Sequence, residues 1–239
     1  MNINLHDRRN QQKFGADVPY LQSHGLMANN LNSVKHLSLE KDLTLEEELR
    51  AAVKEKAAVG DYAAAIALLT QLIELDPDSA KDYNNRGLMY FRNGQFPEAI
   101  ADLDRALEIN PKLDSAYNNR ANYYAAVGDL AAAIADYDLA LDVNPANIRA
   151  WINQGITFRE MGLYDLALED FDIALIIGRK LQGRILAERG RTYHLRGDWN
   201  CANTDYHRAL TQLSEEPNSR SYLKKVNNWL SELLNPVNF

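Results

Sequence analysis

Three arginines in this chain are each followed sixteen residues later by an aspartate: Arg86 by Asp102, Arg120 by Asp136 and Arg189 by Asp205. A guanidinium and a carboxylate at a fixed offset can lock two elements together through paired, charge-assisted hydrogen bonds. A fourth register carries Gln154 ahead of Asp170. Beside them stand Asn85, Asn119 and Asn153, spaced 34 residues apart. An amide offers donors and an acceptor, so a row of asparagines can pair with a peptide backbone whatever its side chains are. Catalytic chemistry has no comparable pattern. There is no phosphate-binding loop and no paired metal-ligand spacing. His194 and His207 are thirteen residues apart, and no nucleophile stands with an evident base. The single cysteine, Cys201, lies next to a small-residue position and reads as a packing residue. No enzymatic activity, metal or cofactor is expected.

A repeat positions these residues. Tyr83-Asn84-Asn85-Arg86-Gly87 returns as Tyr117-Asn118-Asn119-Arg120-Ala121, and the next register begins at Trp151. Asp102-Leu103-Asp104-Arg105-Ala106 returns as Asp136-Tyr137-Asp138-Leu139-Ala140 and Asp170-Phe171-Asp172-Ile173-Ala174. A step of 34 residues fits a helix–turn–helix unit that must stack on its neighbours to bury its apolar face. Gly60, Gly94, Gly128, Gly162 and Gly197 recur where each unit's first helix should end, and Gly suits the left-handed backbone of such an end. Pro77, Pro111 and Pro145 stop the second helices of the first three units, since Pro cannot continue a helix.

These offsets resemble the tetratricopeptide repeat family. The second unit supplies Tyr83, Gly87, Tyr90, Ala99, Leu103, Ala106 and Pro111 at the family's positions, and the third supplies Tyr117, Ala121, Tyr124, Ala133, Tyr137, Ala140 and Pro145. The fourth and fifth follow through Trp151, Gly155, Phe158 and Leu186, Gly190, Tyr193; the first is degenerate but in register. The resemblance implies an all-α fold, an α-α superhelix of five helix–turn–helix repeats at 46–79, 80–113, 114–147, 148–182 and 183–216. A capping helix is expected within 218–239, starting at Ser219 and using Tyr222, Leu223, Val226, Trp229, Leu230 and Leu233 at helical spacing. The fourth unit lacks its proline and is one residue longer, so a bulge or longer turn is expected between Gly178 and Gly183.

The same resemblance places the first helix of each unit on an inner, concave face. It implies a peptide-binding groove of Arg50, Lys54, Lys81, Asn85, Arg92, Asn119, Asn122, Arg149, Asn153, Arg159, Arg184 and Arg191. Eight basic residues there stand against Glu47, Glu160 and Glu188, in a chain whose formal charge is −7. A basic strip in an acidic protein favours an acidic peptide, because a cleft focuses its field and arginine forks match carboxylates. The family's carboxylate clamp for chaperone C-termini is not expected: Glu188 stands where it needs arginine and would repel a terminal carboxylate.

The expected function is a non-catalytic interaction scaffold or adaptor that holds an extended or helical partner segment. Two alternatives are an assembly factor for a membrane or photosynthetic complex, and a spacer that self-associates. The negative charge argues against nucleic acid as a partner, and no apolar run is long enough to span a membrane. One cysteine and an N-terminus without an apolar leader fit a cytoplasmic protein. Residues 1–44, rich in Asn and Gln, carry no repeat and read as a mobile or partly docked extension, with one short amphipathic helix between Leu26 and Leu37. Thr44 and Glu47 form a capping box for the first repeat helix.

Overall fold

The computed structural model describes residues 44–215 and 219–235, and every regular element among them is helical. The expected helix between Leu26 and Leu37 lies outside the described residues. By its contacts the chain divides into residues 1–48 and 49–239. The second unit holds the repeats. Helix α1 covers 44–59, so Thr44 and Glu47 are both helical. Hairpin partners then alternate: α2 (Tyr62–Leu75), α3 (Ala80–Arg92), α4 (Phe96–Ile109), α5 (Asp114–Ala126), α6 (Leu130–Val143), α7 (Ile148–Glu160) and α8 (Tyr164–Ile177), followed by α9 (Gln182–Arg196), α10 (Trp199–Ser214) and α11 (Arg220–Leu234).

Local chemistry sets these boundaries. Asp61, Asp129 and Asn147 cap α2, α6 and α7, each accepting the backbone N–H three residues on. Asp76, Asn110 and Asn144 follow α2, α4 and α6, and each side chain accepts the N–H two residues later, turning the chain over the intervening proline. All five turn glycines have φ between 77° and 96°, a backbone that other residues adopt only with strain. The extra residue of the fourth unit is absorbed as expected: a 3-10 turn, Arg179–Leu181, leads directly into α9.

The core is a column of small and large residues from the second helices. Ala99, Leu103 and Ala106 are fully buried, as are Ala167, Phe171 and Ala174, and Ala202, Tyr206 and Ala209; Ala133, Tyr137 and Ala140 fill the third unit. Facing them, α3 approaches through Gly87, where a Cβ would lie 2.9 Å from Leu103 Cγ and 3.1 Å from the Ala99 carbonyl. Helix α11 packs on α9 and α10. Val226 is completely buried against Leu186, Ala187 and Tyr206, and Tyr222, Leu223, Trp229, Leu230 and Leu233 pack around it. This packing covers the apolar face that α9 and α10 present on that side. No described helix is long and apolar enough to cross a membrane.

Candidate functional site

The Arg/Asp offsets become clasps between helices. Arg86 donates to both carboxylate oxygens of Asp102 at 2.7 and 2.9 Å, Arg120 to Asp136 at 2.7 and 2.8 Å, and Arg189 to Asp205 at 2.7 and 2.9 Å. Each guanidinium has a further N–H that reaches back to the preceding unit: Arg86 to Thr70, Arg120 to Asp104, Arg189 to Asp172. One side chain thus ties its own second helix and the one before. Tyr83, Tyr90, Tyr117 and Tyr193 pack against the guanidinium planes at 5.5–5.8 Å. Hydrogen bonds donated to the Asp136 carboxylate hold the Arg120 guanidinium above its ordinary pKa. The fourth register departs from the expected pair. Gln154 gives its amide to Asp138 of the preceding unit at 2.6 Å and not to Asp170.

With that framework fixed, the first helices line a cleft of about 470 Å³ across units two to four. Its wall includes Asn84, Asn85, Leu88, Asp114, Ser115, Asn118, Asn119, Asn144, Asn147 and Arg149. The asparagines are joined by their own amides. Asn84 donates to Asn85 at 3.5 Å, Asn119 to Asn84 at 2.9 Å, Asn118 to Asn119 at 3.4 Å and Asn153 to Asn118 at 3.2 Å. This chain of four bonds stitches α3, α5 and α7 together. Asn119 spends one N–H on Asn84, whereas Asn85 only accepts and remains exposed. Across the cleft, Asn144 and Asn147 both donate to one oxygen of Asp114, at 2.7 and 2.9 Å.

A second, smaller cleft of about 190 Å³ contains Arg50, Val53, Lys54, Asp82 and Asn85. Asn85 lines both, so it marks where they meet. Of the sequence-selected residues, Asn85, Asn119 and Arg149 come together in the larger cleft, and Arg50, Lys54 and Asn85 in the smaller. Asn153 reaches the larger cleft only through its bond to Asn118. Lys81 and Arg92 are exposed on α3 and line neither. Asn122 is half-buried and accepts the Tyr137 hydroxyl at 2.7 Å.

Three of the eight basic residues are engaged within the fold. Arg50 donates to both oxygens of Asp82 at 2.6 and 3.0 Å, Arg159 to Glu188 at 2.7 Å and Arg191 to Glu232 at 2.6 Å. Glu188 is therefore not the exposed repelling charge expected from its position. It is 1% exposed and also bonded by Tyr222 and Lys225 of α11. Burial alone would raise its pKa, but Arg159, then Lys225 and Tyr222, hold the carboxyl below its ordinary value. Arg184 is half-buried with its Nε enclosed. Lys54, Lys81, Arg92 and Arg149 are the exposed members of the set. His194 sits with its Nδ1 3.3 Å from both the Tyr206 hydroxyl and Arg191. Desolvation and then Arg191 hold its pKa down. Cys201 is corrected too: its side chain is exposed beside Arg208 and is not a packing residue.

The stacked helical hairpins and the cleft along their first helices define a repeat scaffold for protein–protein interaction. The chain belongs to the tetratricopeptide repeat family, whose models match residues 57–121 and 118–181. Repeats of this family are generally non-enzymatic interaction modules. No curated protein matches it significantly in sequence. Among solved structures, it is similar to a thermophilic TPR protein of Thermus thermophilus at 19% identity, with TM-score 0.67 over 76% of this chain and 98% of that one. It is similar to MamA at 21% identity, TM-score 0.57, over 68% and 95%. It also resembles the APC/C hetero-tetramer Cut9–Hcn1 at 19% identity, TM-score 0.63, over 73% of this chain and 35% of that one. At these identities the likeness is one of fold.

Proposed function

We propose that this protein is a scaffold whose larger cleft holds an extended, acid-rich segment of a partner protein across units two to four. The observation that carries the reading is the amide array. Asn85 and Asn119 are held in place by neighbouring asparagines yet keep N–H groups for a partner's backbone carbonyls. Bonds to the backbone grip a chain without reading its side chains. Charge then supplies selectivity. Arg149 stands exposed on the cleft wall, and Lys54, Lys81 and Arg92 are exposed on α1 and α3. An anionic segment is steered toward such a set, and its association weakens as salt rises.

Pulldown with the full chain beside a variant carrying Asn119→Ala and Arg149→Glu tests this. A partner retained by the wild type and lost by the variant, with unchanged helicity, is the expected result. An unchanged partner list would remove the cleft from the account.

A further inference from the structure

Four equivalent places exist where the seventh residue of a repeat, counted from 80, 114, 148 and 183, faces two second helices. In three, a guanidinium fills the space between them: Arg86 between Thr70 and Asp102, Arg120 between Asp104 and Asp136, Arg189 between Asp172 and Asp205. The chain thus contains its own reference geometry. At the joint of units three and four the two acidic residues are kept, as Asp138 and Asp170, but the cation is replaced by Gln154. The shorter, neutral amide serves Asp138 alone. Asp170 is 6% exposed, and its Oδ2 is enclosed without a hydrogen-bond partner.

From this geometry we infer that the joint between units three and four is a proton-controlled hinge, tight while Asp170 carries its proton and loosened on the second-helix side when it ionises. The charged groups that act on Asp170 are both anionic, Asp138 from α6 and Glu169 from α8 itself. Gln154 of α7 is already given to Asp138, and Arg189, which holds the equivalent place on α9, is committed to Asp172 and Asp205. Burial first, then these anions, push the carboxyl up to about 8. On the cleft side the joint stays stitched by Asn153 to Asn118 and by Asn144 and Asn147 to Asp114. Loosening on one side only, with the other side tied, is what makes the joint a hinge and leaves the array folded.

The direction of the effect follows from where the proton resides. The unfolded carboxyl ionises near its ordinary 3.8, the folded one near 8. Between these values only the closed joint keeps the proton, so its stability falls as pH rises through that window and levels off above it. The full chain, its Asp170→Asn variant and its Gln154→Arg variant test the inference by carbon-detected titration of side-chain carboxyls and by hydrogen exchange of α7 and α8, corrected for intrinsic exchange. The expected Asp170 midpoint lies above pH 7 in the wild type. The opening constant of α7–α8 in the wild type, divided by that of Asp170→Asn, should rise up to tenfold per pH unit between pH 5 and 7 and flatten above about 8. Gln154→Arg should bring the midpoint below 5 and abolish the rise. An Asp170 midpoint below 5 in the wild type, or a ratio constant from pH 5 to 9, would overturn the hinge. Should either variant fail to fold, the wild-type titration together with the pH dependence of its own α7–α8 opening decides: opening that rises with the Asp170 midpoint supports the hinge, and opening that does not change across it overturns the hinge.

Discussion

The joint between units two and three and the joint between units three and four are built from the same repeat, yet only the first is clasped by a cation. Arg120 makes two bonds to Asp136 and one to Asp104, and Tyr117 packs on its plane. One step of 34 residues later, Gln154 makes one bond, and a carboxylate oxygen is left enclosed. The apolar packing of the two units is alike: Ala133, Tyr137 and Ala140 are as buried as Ala167, Phe171 and Ala174. The lesson is that hydrophobic register and polar clasp are separable layers of a repeat. The first fixes the fold, and the second sets how firmly neighbouring units are joined.

The sharpest way to break this comparison is to remove the clasp where it is intact. Arg120→Ala leaves Asp136 buried and Asp104 without its donor, and should cost about 3 kcal/mol in urea unfolding. Adding Asp136→Ala should recover much of that loss, because no buried anion remains; strictly additive losses in the double-mutant cycle would show that the pair is not coupled. The packing layer answers to a different change. Gly87→Leu drives a side chain into Leu103 and the Ala99 carbonyl, and calorimetry should show a loss of roughly 1–3 kcal/mol from overpacking. Installing the missing cation reverses the sign: Gln154→Arg should raise stability by about 1 kcal/mol at pH 7, read as a higher urea midpoint. Smallest is Gly94→Ala, where φ of 77° imposes a cost of about 1 kcal/mol or a little more, with open space around the added methyl. A loss much larger than this would point to a clash that the turn does not contain.

The layer legible in the sequence was the one the repeat enforces. The turn glycines, the buried alanines and aromatics, the three Arg/Asp clasps and the apolar spacing of α11 all recur or keep a period, and each lies where that period places it. What the period does not carry was harder to see. Asp82 and Glu232 neutralise Arg50 and Arg191 but belong to no repeated position, so counting charges along the first helices overstated the positive strip. Asp114, which gathers Asn144 and Asn147, is likewise unique to its unit. Glu188 looked like a groove charge because α11, which buries it, does not carry the repeat pattern. Gln154 was visible as a departure, but its choice of Asp138 over Asp170 depended on side-chain reach across two units. Cys201 sits near a small-residue position in register while its side chain points to solvent.

The amide-lined cleft carries the functional account, and a photo-crosslinking residue placed at Ser115, on its wall, tests it most directly. The same residue placed at Arg105, exposed on α4, serves as the control. Crosslinks from Ser115 to an acid-rich stretch of a single partner, lost at high salt and with none from Arg105, are the predicted outcome. Crosslinks from Arg105 in preference to Ser115 would place binding elsewhere and contradict it.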